Sequence, residues 1–287
     1  MKTRSLSARS LLAMSAGLLG FAFGAHAQTL FLDFGPTAAS GEWLTNSPYH
    51  TANPGATASA WNTVGNTDTG TLVLADGSAA TGVSLNIGST RTAAGATLNL
   101  DTSPSSSSAL GGQINSGNIY GGSSVGKDAI FDAAANATTW TATGFQLTGL
   151  EAGTYDIYVT ARNTSGASSN AYTQTIYAGA GAEVGDFALS PLQQQTLSYA
   201  TGHPYTSAWV EGENYVKLTV VLSAGEVLNL AVAGSSATEY SPERRGFLNS
   251  VQIVQTSAIP EPSTVALLVG GAAILFVAAM RFRRHRH

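Results

Sequence analysis

Residues 145–163 read FQLTGLEAGTYDIYVTARN. Beyond Gly153 the apolar side chains recur at every second position. Tyr155, Ile157, Val159 and Ala161 fall on one side, and Thr154, Asp156, Tyr158, Thr160 and Arg162 on the other. A period of two belongs to an extended strand, because successive Cβ atoms point to opposite faces; a helix would group residues three or four apart. The stretch therefore predicts a strand with one face on a core. A shorter run, TGFQLTG (143–149), lies just upstream. Gly149 and Gly153 supply the backbone freedom for a tight turn between the two.

The same pattern extends along the chain. TLFLDF (29–34), TLVLA (71–75), TGVSLNI (81–87) and ATLNL (96–100) precede it. AYTQTIYA (171–178), YTSAWV (205–210), YVKLTVVL (215–222), EVLNLAV (226–232) and FLNSVQIV (247–254) follow. Short β-runs punctuated by Gly, Asn, Asp and Ser predict an all-β, single-domain β-sandwich. GKDAIFDAAANA (126–137) is the one stretch that reads as a short helix, and DTSPSSSSALGG (101–112) reads as a solvated low-complexity loop. The 145–163 segment resembles the strand–Gly-Leu-x-x-Gly-x-Tyr–strand hairpin of malectin-like and galactose-binding-like jelly rolls. LFLDFG near residue 30 and FLNSVQIV near residue 250 resemble their opening and closing strands. That resemblance implies a jelly-roll-like sandwich.

Both ends read as addresses. Lys2, Arg4 and Arg9 precede an apolar run from Leu11 to Phe23, and Ala25-His26-Ala27 is a small-x-small cleavage site. This is the pattern of a secretory signal peptide over 1–27, removed by signal peptidase. At the other end, Val265 to Met280 is 16 residues without a charged or polar side chain. With Ser263, Thr264 and Phe282 beside it the run approaches the length of a single transmembrane helix, taken here as 264–280. Arg281, Arg283, Arg284 and Arg286 follow and predict that the tail at 281–287 stays cytoplasmic. Pro260-Glu261-Pro262 precedes the run as a stiff, extended tripeptide, since each proline fixes φ and restricts the residue before it. The order Pro-Glu-Pro, apolar helix, arginine cluster resembles the PEP-CTERM sorting signal of Gram-negative bacteria over residues 259–287. The resemblance implies exosortase as partner, with Pro260, Glu261 and Pro262 as its recognition positions and the four arginines as retention positions. It also implies an inner-membrane-anchored precursor, then a cell-surface or extracellular protein.

Between the addresses, residues 28–258 carry six basic and sixteen acidic side chains, a net charge near −10. An acidic surface repels phosphates, so nucleic acid is excluded as a partner. The absence of cysteine removes thiolate metal sites and Cys nucleophiles, and only His50 and His203 lie in this region. No metal or other cofactor is expected: Asp33, Asp68, Asp76 and Asp101 could contribute to a calcium site, but no D-x-D-x-D-G loop exists.

Three patterns invite a chemical reading. Gly122-Ser123-Ser124-Val125-Gly126 matches a nucleophile elbow, with Asp186 and His203 downstream, but that motif needs an α/β sheet around it. Glu211/Glu213 and Asp128/Asp132 are paired carboxylates, the former in what reads as a hairpin turn. No catalytic residue is assigned. Aromatics near loop-forming residues make the third pattern: Trp43, Tyr49, Trp61, Tyr205 and Trp209 are candidate glycan-binding residues, with Trp140 a further ring. Flat rings stack on sugars, although a Trp in a sandwich commonly serves as core. The expectation is a non-catalytic exported protein of the cell envelope or extracellular matrix, associated with exopolysaccharide. The alternative is a carbohydrate-binding module with a defined glycan site, and a secreted hydrolase is the third class.

Overall fold

The computed structural model describes residues 28–37, 46–91, 97–108, 119, 125–133, 139–163, 172–199, 208–234, 244–259, 274 and 280–281. Ala27–Ile259 make one compact unit; Met1–His26 and Pro260–His287 make another. The expected signal peptide, the Pro-Glu-Pro motif and Arg283, Arg284 and Arg286 lie outside the described residues, and Arg281 is exposed. Among the described residues no helix is long and apolar enough to cross a membrane.

The larger unit is all-β. Its first five-stranded sheet runs β12 (Val216–Leu222), β8 (Gly153–Thr160), β14 (Ser250–Ala258), β1 (Thr29–Phe34), β2 (Asn62–Val64). Its second runs β11 (Gln193–Tyr199), β9 (Tyr172–Gly181), β13 (Val227–Gly234), β7 (Ala142–Thr148), β3 (Ser84–Thr90). Two ribbons, β4 (Thr97–Leu98) with β10 (Phe187–Ala188) and β5 (Ser106–Ser108) with β6 (Ala129–Phe131), complete the strands among the described residues. All pairings are antiparallel except β1 with β2. The sole described helix of the larger unit is α1, Pro48–Ala52.

The inner faces of the two large sheets build one core. Leu30, Leu32 and Phe34 of β1, Tyr155, Ile157 and Val159 of β8, and Val251 and Ile253 of β14 meet Phe145, Leu147, Ile176, Leu228, Leu230 and Val232 of the facing sheet. The alternation read in residues 154–162 is the one observed. Ile157 is in register with Leu218 and Ile253 and is fully buried, so removing its side chain would open a cavity at the centre of the sheet.

Three expectations are corrected. The turn after TGFQLTG does not close a hairpin: β7 and β8 lie in different sheets, so 149–153 is an arch between the layers. Gly149 takes φ +78°, and a Cβ there would collide with the Gly82 carbonyl, so the arch needs glycine on both counts. The helix expected over 126–137 is absent where that stretch is described. Ala129–Phe131 form β6 instead, because Ile130 and Phe131 gain burial against the core and Phe247 that a solvent-side helix would not give. Within the expected loop 101–112, Ser106–Ser108 form the strand that pairs with β6.

Candidate functional site

The outer face of the first sheet departs most from a simple sandwich. Toward β14 and β1 its outward residues are buried rather than solvated, Phe31, Asp33, Tyr158, Ser250 and Gln252 among them, while Thr219 and Val221 on the β12 edge are exposed. Lys217, Tyr158, Gln252 and Phe31 are successive partners across β12, β8, β14 and β1, with Trp61 beside Phe31 just ahead of β2. Rings continue along this row. Phe31 lies 5.0 Å from Trp61 and 5.3 Å from Tyr49, Tyr49 is 6.2 Å from Tyr158, and Tyr158 is 6.2 Å from Tyr215. Trp209 closes the series 6.3 Å from Tyr215. Val125 and Ile119 from the covering segments pack on the same cluster. Tilted and edge-on contacts at these separations suit the ring quadrupoles.

A chain of hydrogen bonds seats α1 on this row. Gln252 accepts the Tyr49 N–H at 3.0 Å through Oε1 and donates from Nε2 to Ser47 Oγ at 2.8 Å. Ser47 Oγ lies 2.7 Å from His50 Nδ1, and His50 Nε2 lies 2.8 Å from the Ala58 carbonyl. The carbonyl can only accept, so Nε2 carries the proton and Nδ1 accepts from Ser47. Burial lowers the His50 pKa and favours the neutral ring that this pattern requires.

At the next outward position on β1 stands Asp33, fully buried, with Ser250 and Thr63 beside it in register. Its Oδ1 accepts the Gly126 N–H at 2.7 Å. Asp128, two residues further along that segment, is also fully buried, and its Oδ2 accepts the Thr37 N–H at 2.7 Å. Burial raises the pKa of both, that of Asp33 well above the carboxylate norm, and the neighbouring Asp128 charge raises Asp33 further. Asn249 fixes the segment by donating from Nδ2 to the Asp128 carbonyl at 2.9 Å while its Oδ1 accepts the Arg162 N–H at 2.7 Å.

Of the aromatics singled out from the sequence, Tyr49, Trp61 and Trp209 are brought into this one cluster. Trp209 is buried within it, whereas Tyr49 and Trp61 are half-buried at its rim. Trp140 belongs to a separate cluster with Leu98, Phe187 and Ala231, outside the second sheet. Trp43 and Tyr205 lie outside the described residues, as do Ser124 and His203 of the elbow reading. Asp186 is committed elsewhere, accepting the Leu100 N–H at 2.8 Å. Glu211 and Glu213 are exposed on the turn before β12, where Gly212 takes φ +83°.

Asp128 and Asp132 do not form a pair. Asp132 binds Arg91 Nε at 2.9 Å and the Ser89 and Ser105 hydroxyls. Asp68 and Asp76 are exposed and accept the N–H groups of Ile87 and Ser78 respectively, and Asp101 is exposed as well. Sequence reasoning missed Tyr158, Tyr215, Phe31 and Gln252 as members of the outer row. Their signal was present: Phe31 and Asp33 occupy outward positions of a strand whose inward positions are already apolar.

No protein-family model matches the chain, and no curated protein matches it. Among solved structures, it is similar to the enzymatically active domain of tailspike protein 4 of bacteriophage CBA120, at 11% identity and a TM-score of 0.24. The match covers 61% of this chain and 19% of that one, so this chain spans about a fifth of that protein's length. A likeness at that level carries no argument for activity.

Proposed function

We propose that this protein is an exported, exosortase-sorted component of the cell envelope or extracellular matrix of a Gram-negative bacterium, non-catalytic and associated with exopolysaccharide. In this reading residues 28–258 are a jelly-roll-like ectodomain that signal peptidase releases from residues 1–27. Residues 264–280 anchor the precursor in the inner membrane until exosortase acts at Pro260–Pro262. The observation that carries the reading is the tail itself: Pro-Glu-Pro, a 16-residue run without polar side chains, and four arginines in six positions. A compact β unit that runs from Ala27 to Ile259 supports it, since it gives the sorted cargo a fold of its own. The test is fractionation of cells carrying Pro260→Ala with Pro262→Ala. The double variant loses the extended grip but keeps the apolar run and arginines, so the precursor should accumulate in the inner membrane. Delivery to the surface or medium as in the wild type would refute the sorting role.

The second reading, a module with a defined glycan site, is favoured by Tyr49 and Trp61. These two rings of the outer row are half-buried where its other members are buried, which leaves ring surface for a sugar. Binding of neutral polysaccharide that Tyr49→Ala and Trp61→Ala abolish, and that moderate salt leaves intact, would establish it.

A further inference from the structure

Among the described residues three aspartates are fully buried: Asp33, Asp128 and Asp132. Asp132 has a guanidinium and two hydroxyls around it. The other two have a different environment. Asp33 sits at the end of β1 and Asp128 just ahead of β6, and each holds the segment that carries the other. Asp33 Oδ1 takes the Gly126 N–H, and Asp128 Oδ2 takes the Thr37 N–H. That accounts for one oxygen of each carboxyl. The second oxygens, Asp33 Oδ2 and Asp128 Oδ1, are buried and have no hydrogen-bond partner.

Backbone packs directly against the Asp128 side of the pair. Gly35 takes φ +146°, and a Cβ on it would run into the carboxyl group of Asp128. Only glycine lets the chain two residues beyond Asp33 pass so close to that carboxylate.

We propose that Asp33 and Asp128 form a binding site for a hard divalent cation, calcium foremost, ligated through Asp33 Oδ2 and Asp128 Oδ1. Burying two like charges without compensation is strongly unfavourable. One proton would neutralise a single carboxyl and supply one hydrogen bond. A divalent cation neutralises both and satisfies both oxygens at once. The donors are carboxylate oxygens with no imidazole or thiolate, which selects calcium or magnesium over zinc or copper. Calcium accepts six to eight oxygens in adaptable geometry, so main-chain carbonyls and water can complete its shell where magnesium would demand a near-ideal octahedron. The ion would pin residues 33–37 to residues 126–128 beside the aromatic row.

The test uses purified full-length protein stripped with EDTA. Calcium chloride, magnesium chloride and an ionic-strength control of sodium chloride are each titrated calorimetrically, and thermal midpoints are recorded. One calcium should bind per chain. At about a hundredfold excess over Kd the midpoint should rise by roughly 5–10 °C, with a smaller rise for magnesium. Asp33→Asn and Asp128→Asn should each lose the response, while Glu183→Gln, at an exposed carboxylate, should keep it. A wild-type protein that gives no binding heat and no shift with calcium overturns the proposal whatever the variants do. A response that survives both Asn substitutions overturns it too, by placing the ion elsewhere. Indifference to calcium together with a midpoint that climbs as pH falls toward 4 would identify a shared proton in place of the metal.

Discussion

Gln252 offers the sharpest test of how the outer row is held. Its side chain is almost completely buried, and both ends are engaged: the amide oxygen accepts from Tyr49 N–H and the amide nitrogen donates to Ser47 Oγ. Gln252→Leu keeps the volume and removes both bonds. Each lost bond is worth about 1 kcal/mol net, and each partner left dry adds about 1–3 kcal/mol. Relaxation of α1 toward water will recover part of that, because the Tyr49 N–H is only partly buried. We expect a loss of about 2–4 kcal/mol, a large share of a total margin of about 5–15 kcal/mol. For a unit of this length that corresponds to a midpoint roughly 4–16 °C lower. Thermal unfolding followed by far-UV circular dichroism measures the loss. The near-UV signal should also fall at low temperature, since Tyr49 and Phe31 lose their fixed packing. Gln194→Leu, at an exposed strand position, should change the midpoint by no more than a degree or two. A Gln252→Leu protein as stable as the wild type, with an unchanged near-UV spectrum, would refute the view that this bond chain seats α1.

Three further outcomes follow from the same structure. His50 is held neutral, with its pKa lowered by burial from the ordinary 6.5. The unfolded chain then binds the extra proton first, so stability should be lost as pH falls from about 6.5 through the folded value, and an equilibrium denaturation series across that window checks the sign. Ile157→Asp places a carboxylate at a fully buried position between Leu218 and Ile253, at a cost of several kcal/mol, and should leave residues 28–258 unfolded by circular dichroism. For orientation, a reporter active only in the periplasm should be active when fused after Ala258 and silent when fused after His287.

The strands that could be read in the sequence are those with one face inward and one outward. Tyr155, Ile157, Val159 and Ala161 sit in the core because period-two alternation and burial coincide there. β11 was missed because QQQTLSY offers little apolar signal: five of its seven residues, Gln193 to Thr196 and Ser198, are exposed, and its pairing to β9 is a backbone matter. β5 was missed for the same reason, since three serines carry no period. The 126–137 segment looked helical from its alanines, and tertiary burial of Ile130 and Phe131 overrode that propensity. The arch at 149–153 could not be told from a hairpin because Gly149 and Gly153 permit both; only the partner strands decide. The Asp33–Asp128 pair was invisible as a pair. The two residues are 95 positions apart, and what joins them is a reciprocal exchange of backbone N–H groups.

The outer surfaces bear on how such a sandwich can associate with anything. β11 and β12 are edge strands of the two large sheets, and open edges invite pairing with another chain. Here glutamines close them against each other: Gln193 Nε2 donates to the Thr219 carbonyl and Gln195 Nε2 to the Lys217 carbonyl, both at 3.0 Å. Lys217 further ties itself to Asp156 at 2.7 Å on the neighbouring strand. Two acceptors of the β12 edge are thus already occupied by side chains from the opposite sheet. Strand addition at this side would have to break those bonds before making new ones. Attachment to a matrix through this side of the sandwich is therefore disfavoured. In the glycan-binding reading proposed above, the half-buried rings of Tyr49 and Trp61 lie away from this closed edge, on the aromatic row.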